Sequence, residues 1–210
     1  MREAIVFVVN RCGTFRKQVA MDIAQHFHHN LLPIHQNPKC QKMMMKKNSI
    51  AQEENLLFQA IPKEDWKPRN AYKENYQLYS KYKYCLVMEN TPVATDNYIT
   101  EKLFLAFMGG CLPIYWGTKD VFELFNPDAF VFYDYDYAIT ADDNDNNHAS
   151  NNAIGELQYL QANRTYYDWK MEQPILAHGP ASAEAYLSLS EDVGNGRLRT
   201  RIRNMLGIEN

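Results

Sequence analysis

The sequence predicts an α/β fold in which a parallel β-sheet is flanked by helices. Four short apolar segments, rich in β-branched and aromatic residues, have the composition of strands that are buried on both faces. Segments with helical spacing of apolar residues alternate with them, and short connections between alternating strands and helices are typical of parallel sheets. The four predicted strands are residues 4–9, 85–88, 111–115 and 129–133.

The first predicted helix follows the first strand after a short polar turn. It covers residues 15–27, in which Val19, Ile23 and Phe27 recur every fourth position. This spacing places the three apolar side chains on one face, which can then pack against the sheet.

A second amphipathic helix is predicted to open at Tyr98, just after the second strand. Ile99, Leu103 and Phe107 are spaced four residues apart, so they share one face. The glycine pair at 109–110 ends the helix, because glycine readily adopts the conformation that follows a helix.

The remaining segments set the predicted domain organisation. Residues 36–75 have no regular pattern and are predicted to form an irregular, partly helical excursion. A further helix begins near residue 154, after an Asn/Asp-rich loop. We therefore expect one sheet-containing domain over residues 1–165 and a C-terminal helical tail over residues 166–210.

Composition excludes several classes of function. The formal net charge of −3 gives no general attraction to nucleic acid or to acidic membranes. The chain has no G-x-G-x-x-G and no G-x-x-x-x-G-K-[ST] sequence, so neither a dinucleotide fingerprint nor a P-loop is predicted. A dinucleotide-dependent oxidoreductase is therefore not expected. No apolar run reaches the roughly 18 residues that a membrane-spanning helix needs.

The four cysteines are widely spaced and include no C-x-x-C pair, which argues against a zinc site. Cys85 and Cys111 lie within apolar runs and are interpreted as small buried hydrophobic residues. A disulfide between Cys12 and Cys40 is an open alternative, because connectivity cannot be deduced from spacing.

The start of the second helix is the first candidate binding site. Ligands of open parallel sheets bind beyond the carboxyl ends of the strands, and a helix N-terminus there favours phosphate. If the helix opens at Tyr98, then Tyr98, Glu101 and Lys102 share a face that could contact a base or sugar, ribose hydroxyls and phosphate, respectively. The alternative is an ordinary solvated helix start.

Two further candidates follow the first two strands. Arg16 begins the first helix, where a guanidinium suits a diphosphate, although a surface arginine would have the same local sequence. Glu89 and Asn90 end the second strand, where they could serve an active site or simply cap loop N–H groups.

Acidic residues after the fourth strand raise the question of a metal. Asp134 and Asp136 form an Asp-x-Asp pattern that can hold a divalent cation under a nucleotide diphosphate. The pattern merges into an Asn/Asp-rich loop over residues 142–152, a composition that is typical of a solvated loop. A metal site is therefore not expected.

Several of these segments together resemble the α1,3-fucosyltransferases. That family has a strand ending in Phe-Glu-Asn, a helix start of the form [DG]-Y-[VI]-T-E-K, a P-I-Y-W-G strand and an N-P-x-S-F-[IV] segment. The opening strand and Arg16 also resemble the first donor-domain strand of the family and its arginine. The order and separation of these motifs make the resemblance specific. The matching segments here are residues 82–90, 96–103, 110–117 and 126–131.

The resemblance implies the C-terminal half of an inverting glycosyltransferase with two Rossmann-like domains, the GT-B architecture. It implies GDP-fucose as the donor, an N-acetylglucosamine-containing glycan as the acceptor and no obligatory metal or other cofactor. Arg16 and Lys102 would hold the diphosphate. Asn90, Tyr98 and Glu101 would contact the guanosine and the fucose.

The resemblance also implies what these 210 residues do not supply. The N-terminal acceptor domain, which holds the general base in the family, would precede Met1. Glu89 is then the candidate catalytic residue within the chain. Eukaryotic members are Golgi membrane enzymes with lumenal domains, whereas bacterial members are cytoplasmic or peripheral.

Two alternatives remain open at this point. The chain could serve another GDP-sugar or UDP-sugar transferase of the same architecture. It could also be a non-catalytic domain that binds nucleotide sugars, since a fold alone does not define an activity.

Overall fold

A computed structural model gives the architecture of most of the predicted elements. The residues it describes are 1–8, 16, 19–21, 23–24, 33–37, 58–66, 74–90, 98–134 and 151–187. No helix among them is both long and apolar enough to cross a membrane. Cys12, Cys40 and Asp136 lie outside these residues.

A six-stranded parallel sheet forms the centre of the fold, which confirms the predicted α/β class. Two of its strands were not predicted, and one of them lies within the expected irregular excursion at 36–75. Both are three residues long and include polar residues, so neither periodicity nor apolar composition identifies them. The strands are β1 Arg2–Phe7, β2 Ile34–Gln36, β3 Phe58–Ala60, β4 Tyr82–Met88, β5 Leu112–Trp116 and β6 Val131–Phe132.

The strand order is β3-β2-β1-β4-β5-β6. From β1 the chain first builds the sheet outward in one direction through β2 and β3. It then returns to the other side of β1 and continues outward through β4, β5 and β6. The carboxyl ends of β1 and β4 therefore form a topological switch point. Open α/β sheets bind their ligands in a crevice at such a point, and we call this region the crevice.

Alternating side chains of the strands pack into separate cores on the two faces of the sheet. Ile5 and Phe7 face one core, whereas Ala4 and Val6 face the other, as the two-residue period of a strand requires. The first core also contains Val19 and other buried residues of the helical positions 16, 19–21 and 23–24. The sheet is thus covered on both faces, which explains the almost continuous apolar composition of its strands.

Apart from the helical positions 16, 19–21 and 23–24, the helices within the described residues lie after the third strand along the chain. They are α1 Asn75–Tyr79, α2 Glu101–Gly109, α3 Val121–Leu124, α4 Asn151–Ala162, α5 Arg164–Met171 and α6 Pro180–Leu187. A 3-10 turn, Pro127–Ala129, precedes β6, and a short strand, β7 Ala177–Gly179, precedes α6. The expected division at residue 165 falls inside α5, whose Tyr167 packs in the same core as α4.

Helix α2 begins three residues later than the sequence suggests. Thr100 is its N-cap and has extended backbone angles (φ −117°, ψ −179°), so Tyr98 precedes the helix. The predicted shared face of Tyr98, Glu101 and Lys102 is therefore wrong. The helix ends at Gly109, and Gly110 adopts the left-handed conformation (φ 68°) that a C-cap glycine tolerates.

The end of α2 also packs very closely against α1. A Cβ atom at Gly109 would lie 2.5 Å from Cβ of Tyr79 and 2.8 Å from the carbonyl oxygen of Tyr76. Both distances are well below van der Waals contact, so only glycine fits at position 109 without a shift of one helix. The contact fixes the position of α2 relative to α1.

Cys85 and Cys111 form a disulfide, with their Cα atoms 6.0 Å apart. The interpretation of the two residues as independent buried hydrophobic side chains is therefore wrong, although both are buried. Cys85 lies in β4 and Cys111 directly precedes β5. Because β4 and β5 are neighbours in the sheet, the fold brings together two cysteines that are 26 residues apart in the sequence.

Ion pairs hold the loop after β3 to the amino-terminal ends of β1 and β4. The carboxylate of Asp65 accepts from both Arg2 and Lys81. Burial acts to raise the pKa of Asp65, but the hydrogen bonds from Lys81 and Arg2 outweigh it and hold that pKa below its usual value. This network lies at the amino-terminal ends of the strands, and the crevice lies at their carboxyl ends.

Candidate functional site

The carboxyl end of β4 carries a buried carboxylate that is surrounded by hydrogen-bond donors. Glu89 directly follows β4 and is 1% exposed. Its Oε1 accepts from the backbone N–H of Thr100 at 3.0 Å and from the hydroxyl of Tyr115 at 3.3 Å. Its Oε2 accepts from Oγ1 of Thr100 at 2.8 Å and from Nζ of Lys102 at 2.9 Å. The four bonds join the end of β4 to the start of α2 and to β5.

Lys102 lies in the first turn of α2 and points toward this carboxylate. Its ammonium group donates to Oε2 of Glu89 and to Oγ1 of Thr100, both at 2.9 Å. An ammonium group has three N–H donors. Within the described part of the chain the third has no partner, and 23% of the side chain is exposed. Lys102 is therefore a fixed cation that can still donate to a ligand.

Arg16 approaches the same strand end from the other side of the switch point. It is helical, follows the β1 segment and is only 6% exposed. Its Nη2 atom donates to the backbone carbonyl oxygen of Glu89 at 3.2 Å and to the side-chain oxygen of Asn90. Glu89 and Asn90 thus contact both of the cations that the sequence predicts for this site. The carboxylate of Glu89 accepts from Lys102, whereas Arg16 donates to the backbone of Glu89 and to the side chain of Asn90.

Tyr98 and Glu101 complete the set of predicted site residues. The amide nitrogen of Asn90 lies 3.5 Å from the hydroxyl of Tyr98, so Tyr98 joins the group although it precedes the helix. Glu101 is exposed at the first position of α2. The structure therefore brings Arg16, Asn90, Tyr98 and Lys102 together, with Glu89 at their centre.

Two residues of this group were missed by the sequence analysis. Thr100 contributes its backbone N–H and its hydroxyl, and its position before an apolar helix is a recognisable N-cap signal. Tyr115 lies inside an apolar strand, where a tyrosine is easily taken for a core residue. The hydroxyl group of Tyr115 can be assigned to the site only when β5 is known to pair with β4.

The arrangement is suited to binding an anion such as a phosphate group. Two cations lie at the switch point, and the N-terminus of α2, the positive end of the helix dipole, lies beside them. Positive groups held in place before a ligand arrives can stabilise charge that develops on a leaving group.

Asp134, the described member of the Asp-x-Asp pattern, is half exposed and forms an ion pair with Lys119 at 2.7 Å. Its carboxylate is thus already paired with a cation. Among the described residues, no group of three histidine, cysteine, aspartate or glutamate side chains is arranged to hold a metal ion. That the protein needs no metal stays a prediction, which binding experiments can test.

Comparison with known proteins gives a single consistent result. Residues 2–186 match the model of the C-terminal region of glycosyltransferase family 10, the fucosyltransferases. The match covers the crevice, both cations and the strand end at Glu89.

Relatives and solved structures agree with this match. The α-(1,3)-fucosyltransferase FucT of Helicobacter pylori is 36% identical over 108 residues, which are 49% of this chain and 19% of that protein. An α-(1,4)-fucosyltransferase of Arabidopsis thaliana is 42% identical over 52 residues, which are 25% of this chain and 12% of that protein. A crystal structure of an α1,3-fucosyltransferase superposes with a TM-score of 0.50 at 20% identity, covering 82% of this chain and 37% of that one. The chain thus spans well under half the length of these proteins.

Proposed function

Because the chain belongs to glycosyltransferase family 10, the fucosyltransferases, we propose that it is the donor-binding part of a fucosyltransferase that uses GDP-fucose. Fucose passes from GDP to a hydroxyl group of a glycan with inversion at the anomeric carbon. The bond from that carbon to the phosphate oxygen breaks as the acceptor oxygen attacks, and the proton of the hydroxyl goes to a base.

One observation carries this proposal. Arg16 and Lys102 meet at the switch point between β1 and β4, on either side of Glu89-Asn90. The leaving group of the proposed reaction is a nucleoside diphosphate, which gains negative charge as the sugar departs. Two fixed cations and a helix N-terminus can stabilise that charge without a metal ion. Asn90, Tyr98 and Glu101 are proposed to contact the guanosine and the fucose.

The acceptor and the linkage are further parts of the proposal. We propose an N-acetylglucosamine-containing oligosaccharide as the acceptor and an α1,3 linkage. The similarity to an α-(1,3)-fucosyltransferase of Helicobacter pylori supports this linkage. The similarity to an α-(1,4)-fucosyltransferase of Arabidopsis thaliana makes the α1,4 linkage the alternative to test. Linkage analysis of the product distinguishes the two.

The proposed location is the Golgi membrane, with the domain on the lumenal side, for a eukaryotic source, and the alternative for a bacterial source is a cytoplasmic or peripheral membrane location. The disulfide between Cys85 and Cys111 supports a lumenal site, because disulfides persist in oxidising compartments. Quantifying free thiols after rapid acid quenching of cells tests this. Fully reduced Cys85 and Cys111 in the native protein would argue for the cytoplasm.

GDP is expected to bind more tightly than UDP or ADP. All three nucleotides carry a diphosphate, so Arg16 and Lys102 should contribute equally to the affinity for each of them. The preference for GDP must therefore come from contacts with the base. Isothermal titration calorimetry of the chain with each nucleotide measures the preference. Equal affinity for the three nucleotides would leave only a generic diphosphate site and would contradict a GDP-specific donor site.

A chelator serves as the second arm of this experiment. If cations of the protein hold the diphosphate, then EDTA should leave the dissociation constant for GDP unchanged. A strict requirement for Mg²⁺ or Mn²⁺ would instead direct attention to Asp134 and Asp136.

Replacing Lys102 with methionine is expected to weaken GDP binding by roughly ten- to a hundredfold. A hydrogen bond to a charged group contributes about 1.5–3 kcal/mol, and every 1.4 kcal/mol is tenfold in affinity. Lys102→Met keeps the unbranched stem but removes the charge. The matched control is Lys81→Met, which removes one lysine charge at the amino-terminal end of β4, away from the crevice. Equal losses in both variants would show that only the overall charge of the protein matters.

A further inference from the structure

The buried carboxylate of Glu89 lies in the crevice but is poorly placed to take a proton from an acceptor hydroxyl. It is 1% exposed, and both of its oxygens accept hydrogen bonds. A base must come within hydrogen-bond reach of the proton that it removes. Reaching Glu89 would require an acceptor to displace the start of α2.

We propose that Glu89 is a positioning residue, which holds the ammonium group of Lys102 so that one N–H donor points into the crevice. The inference rests on the proposed function, because it concerns how the diphosphate of the donor is bound. Glu89 then acts on the substrate only by holding Lys102 in position and does not contact the substrate itself.

The contacts of Lys102 support this role. Glu89 and Thr100 each accept one of its N–H donors at 2.9 Å, which leaves the third for a ligand within the part of the chain that the structure describes. A free lysine side chain loses rotamer entropy when it binds an anion. Here that loss occurs on folding, so a diphosphate meets a lysine that is already in place.

The distribution of donors around Glu89 suggests a selective substitution. Oε1 accepts from the backbone N–H of Thr100, whereas Oε2 accepts from Lys102. In Glu89→Gln the amide oxygen can occupy the Oε1 position and keep the bond to the helix start. The NH₂ group then occupies the Oε2 position, where it can donate to Oγ1 of Thr100 but faces the ammonium group as a second donor. The opposite orientation would place NH₂ against the backbone N–H, so we expect the first.

A double-mutant cycle on the full chain tests the proposal with GDP as the probe. The four proteins are the wild type, Glu89→Gln, Lys102→Met and the double variant. Glu89→Gln should weaken GDP binding by about tenfold, the equivalent of one lost charged hydrogen bond. The double variant should bind no more weakly than Lys102→Met alone, because without the lysine Glu89 has nothing left to position.

Three results would overturn the proposal. Additive losses in the double variant would show that Glu89 supports the site independently of Lys102. Unchanged binding in Glu89→Gln would show that the lysine needs no positioning, and tighter binding would show that Glu89 merely competes with the diphosphate. Glu184→Gln, the same substitution at an exposed position in α6, controls for the change in net charge.

A second measurement needs no nucleotide. Brief treatment of the folded proteins with an amine-acylating reagent, followed by mass spectrometry, reports how readily Lys102 reacts. Its reaction should be several-fold faster in Glu89→Gln than in the wild type, while that of Lys81 stays the same. Equal rates at Lys102 would contradict the proposal even if the chain fails to bind GDP. Failure of the wild type to bind GDP, with faster acylation in the variant, would instead refute the donor assignment alone.

Discussion

A polypeptide of residues 1–210 is expected to bind GDP-fucose but to transfer fucose at least about a hundredfold more slowly than the same residues joined to an acceptor-binding domain. General-base catalysis contributes typically about 10²–10⁴-fold, and positioning of the acceptor adds to this. The resemblance to the α1,3-fucosyltransferases implies that both contributions come from an N-terminal domain. The chain spans 37% of a solved α1,3-fucosyltransferase, and the carboxylate of Glu89 is already fully hydrogen-bonded.

The measurement is transfer from radiolabelled GDP-fucose to a lactosamine-type acceptor. Residues 1–210 are compared with the same residues fused to the N-terminal domain of an α1,3-fucosyltransferase. Calorimetry on both proteins confirms that the donor site is intact. Rapid transfer by residues 1–210 alone would mean that this segment contains its own base. In that case a large loss in Glu89→Gln, with a shifted pH profile, would identify Glu89 as that base.

Removal of the disulfide between Cys85 and Cys111 is expected to destabilise the fold by about 3 kcal/mol. The cross-link closes a segment with a sequence separation of 26, and closing a loop of this size restricts the unfolded chain by about that amount. For a domain of this length the melting temperature should fall by roughly 6–12 °C. The measurement is thermal unfolding of Cys85→Ala, Cys111→Ala and the double variant, followed by circular dichroism.

The pattern among the three variants distinguishes a bond from two separate side chains. If the cysteines are linked, each single variant already loses the cross-link, so the double variant should be barely less stable than either one. If they are independent buried residues, then the two small losses should add. Additive losses would restore the interpretation that the sequence alone suggests.

Sequence patterns predict the parts of this fold that depend on local order. Val19 and Ile23 share a helical face and are both buried in the core, as their spacing indicates. The long apolar runs of β4 and β5 likewise identify central strands. The polar three-residue strands β2 and β3 carry no such signal, because pairing with their neighbours, and not their own composition, makes them strands.

The candidate site divides in the same way. Arg16, Asn90 and Lys102 can be selected from the sequence because charged and polar residues follow predicted strands. The hydrogen bonds of Glu89 cannot be predicted in this way, since its donors come from α2 and β5 and meet only in the folded chain. The disulfide is hidden for the same reason.

The close contact between α1 and α2 connects the proposed donor site to a residue that lies far from it. Gly109 and Lys102 lie at opposite ends of one helix, about 10 Å apart at 1.5 Å per residue. A larger side chain at position 109 is expected to push α2 away from Tyr79, and so to displace the ammonium group of Lys102 relative to Glu89. Gly109, at one end of α2, thus helps to fix the position of the ammonium group of Lys102 at the other end. Substitutions far from the crevice are in this way expected to alter the affinity of the proposed site for GDP without any contact with the nucleotide.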